Sequence, residues 1–111
     1  LLYQQALKQN VWHPNTHNFY GELLFRQQKF VEAEQIFKDG TLKQPTNEEL
    51  WLNYGAALAS QQKFNPAIMA FRKAYETNPK YTQALRFLAN AYQSLGDVKL
   101  AQEYERLYLS T

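Results

Sequence analysis

The sequence predicts an all-α solenoid built from antiparallel helix pairs, and three observations support this. The chain repeats itself with a period of 34 residues, and apolar residues recur at helical spacing within each period. Small residues also stand opposite large aromatic ones at the positions where two helices would cross. A single helix pair of this length cannot bury its apolar face alone, whereas stacked copies can.

The repeat is clearest in two stretches, FYGELLFRQQKF at residues 19–30 and NYGAALASQQKF at residues 53–64. From residue 19 to residue 37, nine of nineteen positions are identical to those 34 residues later, where composition alone predicts roughly one. Pro45 and Pro79 keep the same spacing. A third copy is looser, and its Tyr-Gly-Leu and Phe-Ala-Phe series are predicted to continue at Leu88, Ala89, Tyr92, Val98, Ala101 and Tyr104.

Each full period contains two predicted helices. Residues 46–49, TNEE, form a capping-box pattern for one helix start. Asn65 before Pro66 is predicted to cap another helix, and Asp97 after Gly96 the last one. With bounds uncertain by about 2–4 residues, the helices are predicted at 1–10, 15–28, 31–43, 48–61, 65–77, 82–95 and 98–109.

Small residues predict where neighbouring helices approach closely. The first helices carry Gly21, Gly55 and Ala89 at equivalent positions, and Phe37 and Phe71 are large enough to fill the space between helices. The second helices carry Ala33, Ala67 and Ala101. Gly40 lies inside a predicted helix, where Gly costs about 1 kcal/mol relative to Ala, so the end of that helix is expected to fray. Gln61 is expected to be an exposed residue that contributes little to stability.

Composition excludes several function classes. At 111 residues with 45% hydrophobic and 20% charged residues the chain has room for one globular domain. A net charge of +2 without a dense basic patch disfavours nucleic acid as a partner. No apolar run approaches the roughly 20 residues that span a bilayer. The absence of cysteine and the many glutamines suit a cytoplasmic or bacterial periplasmic protein, without deciding the compartment.

Catalysis, metal binding and cofactor binding are not expected. Ser60, Ser94 and Ser110 have no nucleophile motif around them, and the four glycines form no phosphate-binding loop. His13 and His17 stand four residues apart, but no cysteine or adjacent acidic pair completes a ligand set. We therefore interpret His17 as a packing residue.

The pattern W-x2-Y-G-x2-L beginning at Trp51, followed by F-x2-A-x3-F-x2-A-x4-P beginning at Phe64, resembles the tetratricopeptide repeat (TPR). His17 and Gly40 depart from it, standing where Trp51 and Ala74 stand in the next copy. The resemblance implies a right-handed solenoid of about three units at 14–47, 48–81 and 82–111. Residues 1–13 would then be the second helix of a preceding, truncated repeat.

The resemblance also implies a non-catalytic protein-interaction module that holds a partner peptide or helix on a concave face lined by the first helices. Removing the packing positions from those helices leaves these candidate peptide-binding residues: Asn18, Glu22, Phe25, Arg26, Glu49, Leu52, Asn53, Gln83, Arg86, Asn90 and Gln93. Asn and Gln side chains can pair with both donors and acceptors of a peptide backbone.

Some TPR proteins clamp the terminal carboxylate of chaperone tails with Lys, Arg and Asn side chains. Asn53, Arg86 and Asn90 match parts of such a clamp in the wrong order, and Glu22 would repel a carboxylate. A complete clamp is therefore not expected, although Arg86 with Asn90 could hold one acidic group.

The chain ends suggest an alternative. Apolar residues cluster at both ends: Leu1, Leu2, Tyr3, Leu7, Tyr104, Leu107, Tyr108 and Leu109. Either further repeats flank this segment, which we favour, or the ends pack on another copy and the chain is an assembly scaffold that forms homo-oligomers.

Overall fold

A computed structural model describes residues 15–111 and contains six helices in that range. They are α1 (Thr16–Arg26), α2 (Phe30–Lys43), α3 (Glu48–Ala59), α4 (Phe64–Thr77), α5 (Gln83–Leu95) and α6 (Val98–Leu109). Residues 15–111 contain no strand, so the predicted all-α fold is confirmed for them. The predicted helix 1–10, the truncated unit 1–13 and His13 lie outside the described residues.

The six helices stack in one direction. Consecutive helices pack against each other, and α3 also contacts α1 and α5. The backbones of no other pair of the six helices come within 8 Å between Cα atoms, although the Arg72 side chain of α4 reaches Tyr104 of α6. This nearest-neighbour pattern defines a helical-repeat solenoid, and it places α1, α3 and α5 side by side. None of the described helices is long and apolar enough to cross a membrane.

In each of the first two helix pairs, the second helix packs closely against a glycine of the first helix. A Cβ atom at Gly21 would lie 2.7 Å from Cδ1 of Phe37, and one at Gly55 would lie 2.6 Å from Cδ1 of Phe71. Both phenylalanine side chains are only 1% exposed. The prediction that glycine permits this close approach is confirmed.

The third pair is built differently, and our prediction for it was wrong in one respect. The residue 34 positions after Phe71 is Glu105, which is exposed, and not Tyr104. Tyr104 instead stacks on Tyr92, with ring centroids 5.5 Å apart and an angle of 6° between the planes. With no aromatic ring at position 105, residue 89 can carry a Cβ atom, and it is Ala89.

Gly40 does not fray its helix, which continues to Lys43. A Cβ atom at Gly40 would lie 2.9 Å from Cβ of His17 and 2.9 Å from Cδ2 of Leu50. Close packing of three helices therefore requires a glycine here. His17 is 2% exposed, as expected of a packing residue, and its buried Nδ1 has no hydrogen-bond partner among the described residues.

The helix starts follow the predictions only in part. Asp97 caps α6 by accepting a 3.2 Å hydrogen bond from the backbone N–H of Leu100, as predicted. In α3 the capping side chain is Asn47, which accepts from Leu50 N–H at 3.2 Å, rather than Thr46. The cap predicted at Asn65 was wrong, because α4 already begins at Phe64 and its N-cap residue, Lys63, makes no side-chain cap.

In each helix pair, the turn between the two helices contains one residue with a left-handed backbone conformation. Gln28 and Gln62 both have φ of 62°, and Gly96 has φ of 86°. The three positions are 34 residues apart. Only the third is glycine, the residue that adopts this conformation without steric cost.

Candidate functional site

The face formed by α1, α3 and α5, which corresponds to the concave face expected from the TPR resemblance and keeps that name below, carries three adjoining pockets. The first pocket, of about 260 Å³, lies between α1 and α3, and Asn53 joins it to a central pocket of about 530 Å³ between α3 and α5. Arg86 and Asn90 join the central pocket to an end pocket of about 410 Å³ beside α6. Ten of the eleven candidate residues line these pockets, and Asn18 is the exception.

The first pocket has apolar walls and a polar rim. Phe25, Phe37 and Ala56 supply the apolar walls. The Phe25 ring meets Phe30 edge to face, with centroids 5.0 Å apart, which fixes its position. The volume lies below the roughly 300–1,000 Å³ of small-molecule sites and suits one large side chain. The polar rim is formed by Glu22, Arg26 and Asn53.

Asn18 lies beneath the concave face rather than on it. Its side chain is 5% exposed, and its Oδ1 accepts a 2.8 Å hydrogen bond from Nδ2 of Asn53. We expected Asn18 to contact a bound peptide, but its burial contradicts that expectation. Its side chain instead holds the amide of Asn53 through the hydrogen bond. Leu52 also differs from the expectation, because it is 5% exposed and belongs to the core while its surface lines the central pocket.

Carboxylates act on one another at the junction of α1 and α3. Burial raises the pKa of Glu49, and the carboxylates of Glu22 and Glu48 raise it further. The pKa of Tyr81, in the same central pocket, is raised first by burial and then by Glu49 and Glu48. Glu48 itself accepts a 3.2 Å hydrogen bond from Asn78 Nδ2. The α1–α3 side of the face therefore brings the carboxylates of Glu22 and Glu49 close enough to repel each other.

The opposite side of the central pocket is basic and amide-rich. Arg86, Asn90 and Gln83 project there from α5. Arg86 makes no ion pair with any other residue in the range 15–111, although Glu49 lines the same pocket. Arg86 and Asn90 are both exposed and one helical turn apart, so one group bound to the face can contact both.

The end pocket lies where the third helix pair has Glu105 in place of the aromatic ring that Phe37 and Phe71 supply in the preceding pairs. Glu105 and Tyr108 on α6 face Ala89 and Gln93 on α5 across it. In the preceding pairs Phe37 and Phe71 pack on Gly21 and Gly55 at this level. The comparison of Phe71 with Glu105 at a spacing of 34 was available in the sequence and would have indicated the opening.

Sequence reasoning also missed Gln61, which we had expected to be a neutral surface residue. Its Nε2 donates to Oε1 of Glu34 at 2.8 Å and to the backbone carbonyl of Ala57 at 3.0 Å. Lys63 Nζ lies 3.3 Å from the same carboxylate. Gln61 therefore joins α2 to α3 and is half-buried, not exposed as we expected.

Comparison with known proteins agrees with this geometry. The family model for the tetratricopeptide repeat matches residues 48–81, which include α3 and α4. Solved structures that carry the TPR fold superpose on most of the chain. The chain belongs to the tetratricopeptide-repeat family.

Among the curated proteins similar to this chain, the human protein named Protein O-mannosyl-transferase TMTC3 is 30% identical over 110 residues. The match covers 98% of this chain and 12% of that protein, so this chain spans about an eighth of the relative's length.

Two solved structures superpose closely on this chain. The crystal structure of MamA superposes with a TM-score of 0.91 at 23% identity, over 97% of this chain and 63% of MamA, and shows the fold alone. The first TPR of Spaghetti (RPAP3), solved with the HSP90 peptide SRMEEVD, superposes with a TM-score of 0.84 at 25% identity. That match covers 87% of this chain and 77% of the other.

Proposed function

We propose that this chain is a non-catalytic protein–protein interaction module that holds a partner peptide or helix on the concave face of its TPR stack. The observation that carries the proposal is the continuous line of three pockets along α1, α3 and α5. Their shared residues Asn53, Arg86 and Asn90 offer amide and guanidinium groups to a bound backbone. The RPAP3 domain, whose fold is similar, was solved with a bound peptide.

Affinity capture with matched baits tests this proposal. The chain and an Arg86→Glu, Asn90→Ala variant are used to capture proteins from a lysate of the source organism, after circular dichroism has shown equal helicity. A partner captured by the original chain and lost by the variant is then mapped to a peptide, whose affinity is measured by fluorescence anisotropy. We expect the variant to bind that peptide at least ten-fold more weakly. Equal affinity would place binding elsewhere on the molecule.

Self-association through the solenoid end is the second candidate function. Leu95, Leu107 and Leu109 are 44%, 49% and 72% exposed, and such apolar surface can be buried against another copy. Sedimentation velocity at rising concentrations distinguishes the two functions. An assembly scaffold would form oligomers that a Leu95→Glu, Leu107→Glu variant disperses. A peptide-binding module would keep its monomer mass and its peptide affinity in that variant, because neither residue lines the three pockets.

A further inference from the structure

The concave face separates opposite charges along its length, and this separation indicates which peptides it selects. The inference rests on the proposed function, because it concerns a segment bound in the same pockets. Glu22 and Glu49 flank the Asn18–Asn53 hydrogen bond between α1 and α3, while Arg86 lies on α5 at the far side of the central pocket. Neither of these two carboxylates forms an ion pair with another described residue.

The carboxylates of Glu22 and Glu49 have no ion-pair partner among residues 15–111. Burial disfavours the ionised form of Glu49 and raises its pKa, and the nearby carboxylates of Glu22 and Glu48 act in the same direction. Arg26 stands one helical turn after Glu22 at the rim of the first pocket, yet the two form no ion pair. A cation supplied by a ligand would relieve this repulsion, whereas a second anion would add to it.

The first pocket provides the adjacent apolar contact. Its walls of Phe25, Phe37 and Ala56 lie directly beside the Glu22 carboxylate. Ala56 stands where α1 has Glu22 and α5 has Asn90, and this small side chain leaves the pocket open. A large apolar side chain next to a basic one would fill the pocket while its neighbour meets the carboxylates.

The spacing to Arg86 follows from helix packing. Axes of packed helices are about 8–10 Å apart, so α1 and α5 are separated by roughly 16–20 Å across α3. An extended peptide advances about 3.3 Å per residue. The first pocket lies between α1 and α3, so roughly 12–15 Å, or about four to five extended residues, separate a group in it from one at Arg86 and Asn90.

We propose that the face selects an extended peptide segment that is basic near one end and acidic near the other. A large apolar residue enters the first pocket, an adjacent Lys or Arg meets Glu22 and Glu49, and an acidic group about four to five residues away meets Arg86 and Asn90. An acidic tail without a basic residue is disfavoured, because its carboxylates would meet Glu22 and Glu49.

Selection from a displayed library of random ten-residue peptides tests the proposal without knowledge of the natural partner. The baits are the chain, a Glu22→Gln, Glu49→Gln variant and a Glu32→Gln, Glu103→Gln control. The control loses two exposed carboxylates of α2 and α6 that line none of the three pockets. Circular dichroism verifies that all three are folded. The winning peptide and a copy in which its Lys or Arg is replaced by Glu are then synthesised and titrated by calorimetry at 50 and 300 mM salt.

We expect the chain and its control to enrich a Lys or Arg beside a large apolar residue. The Glu22→Gln, Glu49→Gln variant should lose that preference and bind the winning peptide at least ten-fold more weakly, and salt should weaken binding to the chain. Enrichment without a basic preference, or equal affinity for the winning peptide and its copy with Glu in place of Lys or Arg, would overturn the charge assignment but leave peptide binding intact. Failure of every folded bait to enrich any peptide would overturn the proposed function as well.

Discussion

The side-chain amide of Asn53 on α3 donates a 2.8 Å hydrogen bond to Oδ1 of the buried Asn18 on α1. This contact joins two first helices of adjacent repeats beneath the concave face. It also aims Asn53 at the wall shared by the first and central pockets. A change that removes one partner affects both the stability of the stack and the shape of the face.

Asn53→Ala is expected to lower the free energy of unfolding by about 1–3 kcal/mol, because it leaves the buried oxygen of Asn18 without its partner. Asn18→Leu in the same background should recover much of the loss, since Leu52 occupies the equivalent position one repeat later. Urea denaturation of the four members of this double-mutant cycle measures the effect. Additive losses would show that the two amides contribute independently.

Gly55→Leu is expected to lower the free energy of unfolding by about 1–3 kcal/mol or more, because the new side chain overlaps the Phe71 ring. The matched control is Ala89→Leu, whose side chain can extend into the end pocket opposite Glu105. We expect the control to retain most of the stability, as measured by thermal and urea unfolding. Equal losses in both variants would contradict the difference between the second and third helix pairs.

The stability of the first helix pair is expected to depend on pH through His17. Burial lowers the pKa of His17 from 6.5, and Lys43 lowers it further, while Asp39 opposes them. Because the unfolded chain then binds the proton more readily, stability is fully present above pH 6.5 and is lost as the pH falls through the folded pKa. Melting temperatures between pH 7.5 and 5 should fall less steeply for His17→Gln than for the original chain. Parallel curves would contradict this assignment.

Lys29→Asn is expected to raise the free energy of unfolding by about 1 kcal/mol through a new N-cap on α2. Lys29 makes no side-chain cap, although its φ and ψ of −89° and 69° lie close to the −85° and 79° of Asp97, which does. The control is Lys29→Ala, which removes the same charge from the helix N-terminus without supplying an acceptor. If Asn and Ala raise stability equally, the gain comes from charge and not from capping.

The regular part of this molecule could be predicted because it is periodic. A spacing of 34 located all six described helices, and it aligned Gly21 and Gly55 with the aromatic rings that require them. Helix starts were less predictable after turns that contain a glutamine with a left-handed backbone conformation, such as Gln62. The glutamine side chain gives no sequence signal for that conformation. Asn65 was therefore misread as a cap.

The candidate site was predictable in outline and not in depth. Selecting face residues by removing the packing positions identifies the correct side of each helix but ignores small helix rotations. Asn18 and Leu52 were therefore predicted to be exposed on the face, although both are largely buried. Contacts between repeats, such as Gln61 with Glu34, join residues 27 apart on different helix pairs. They depend on side-chain reach, which a repeat alignment does not contain.

The nearest-neighbour packing of the helices has a consequence for how such a protein can evolve. No described contact joins α1 or α2 to α5 or α6, and α3 lies between them. Substitutions at Glu22 and at Arg86 can therefore accumulate separately, each constrained only by its own neighbours. Duplication or exchange of one helix pair would transfer one half of a binding preference intact, so new specificities can arise by recombining existing halves rather than by redesigning a whole surface.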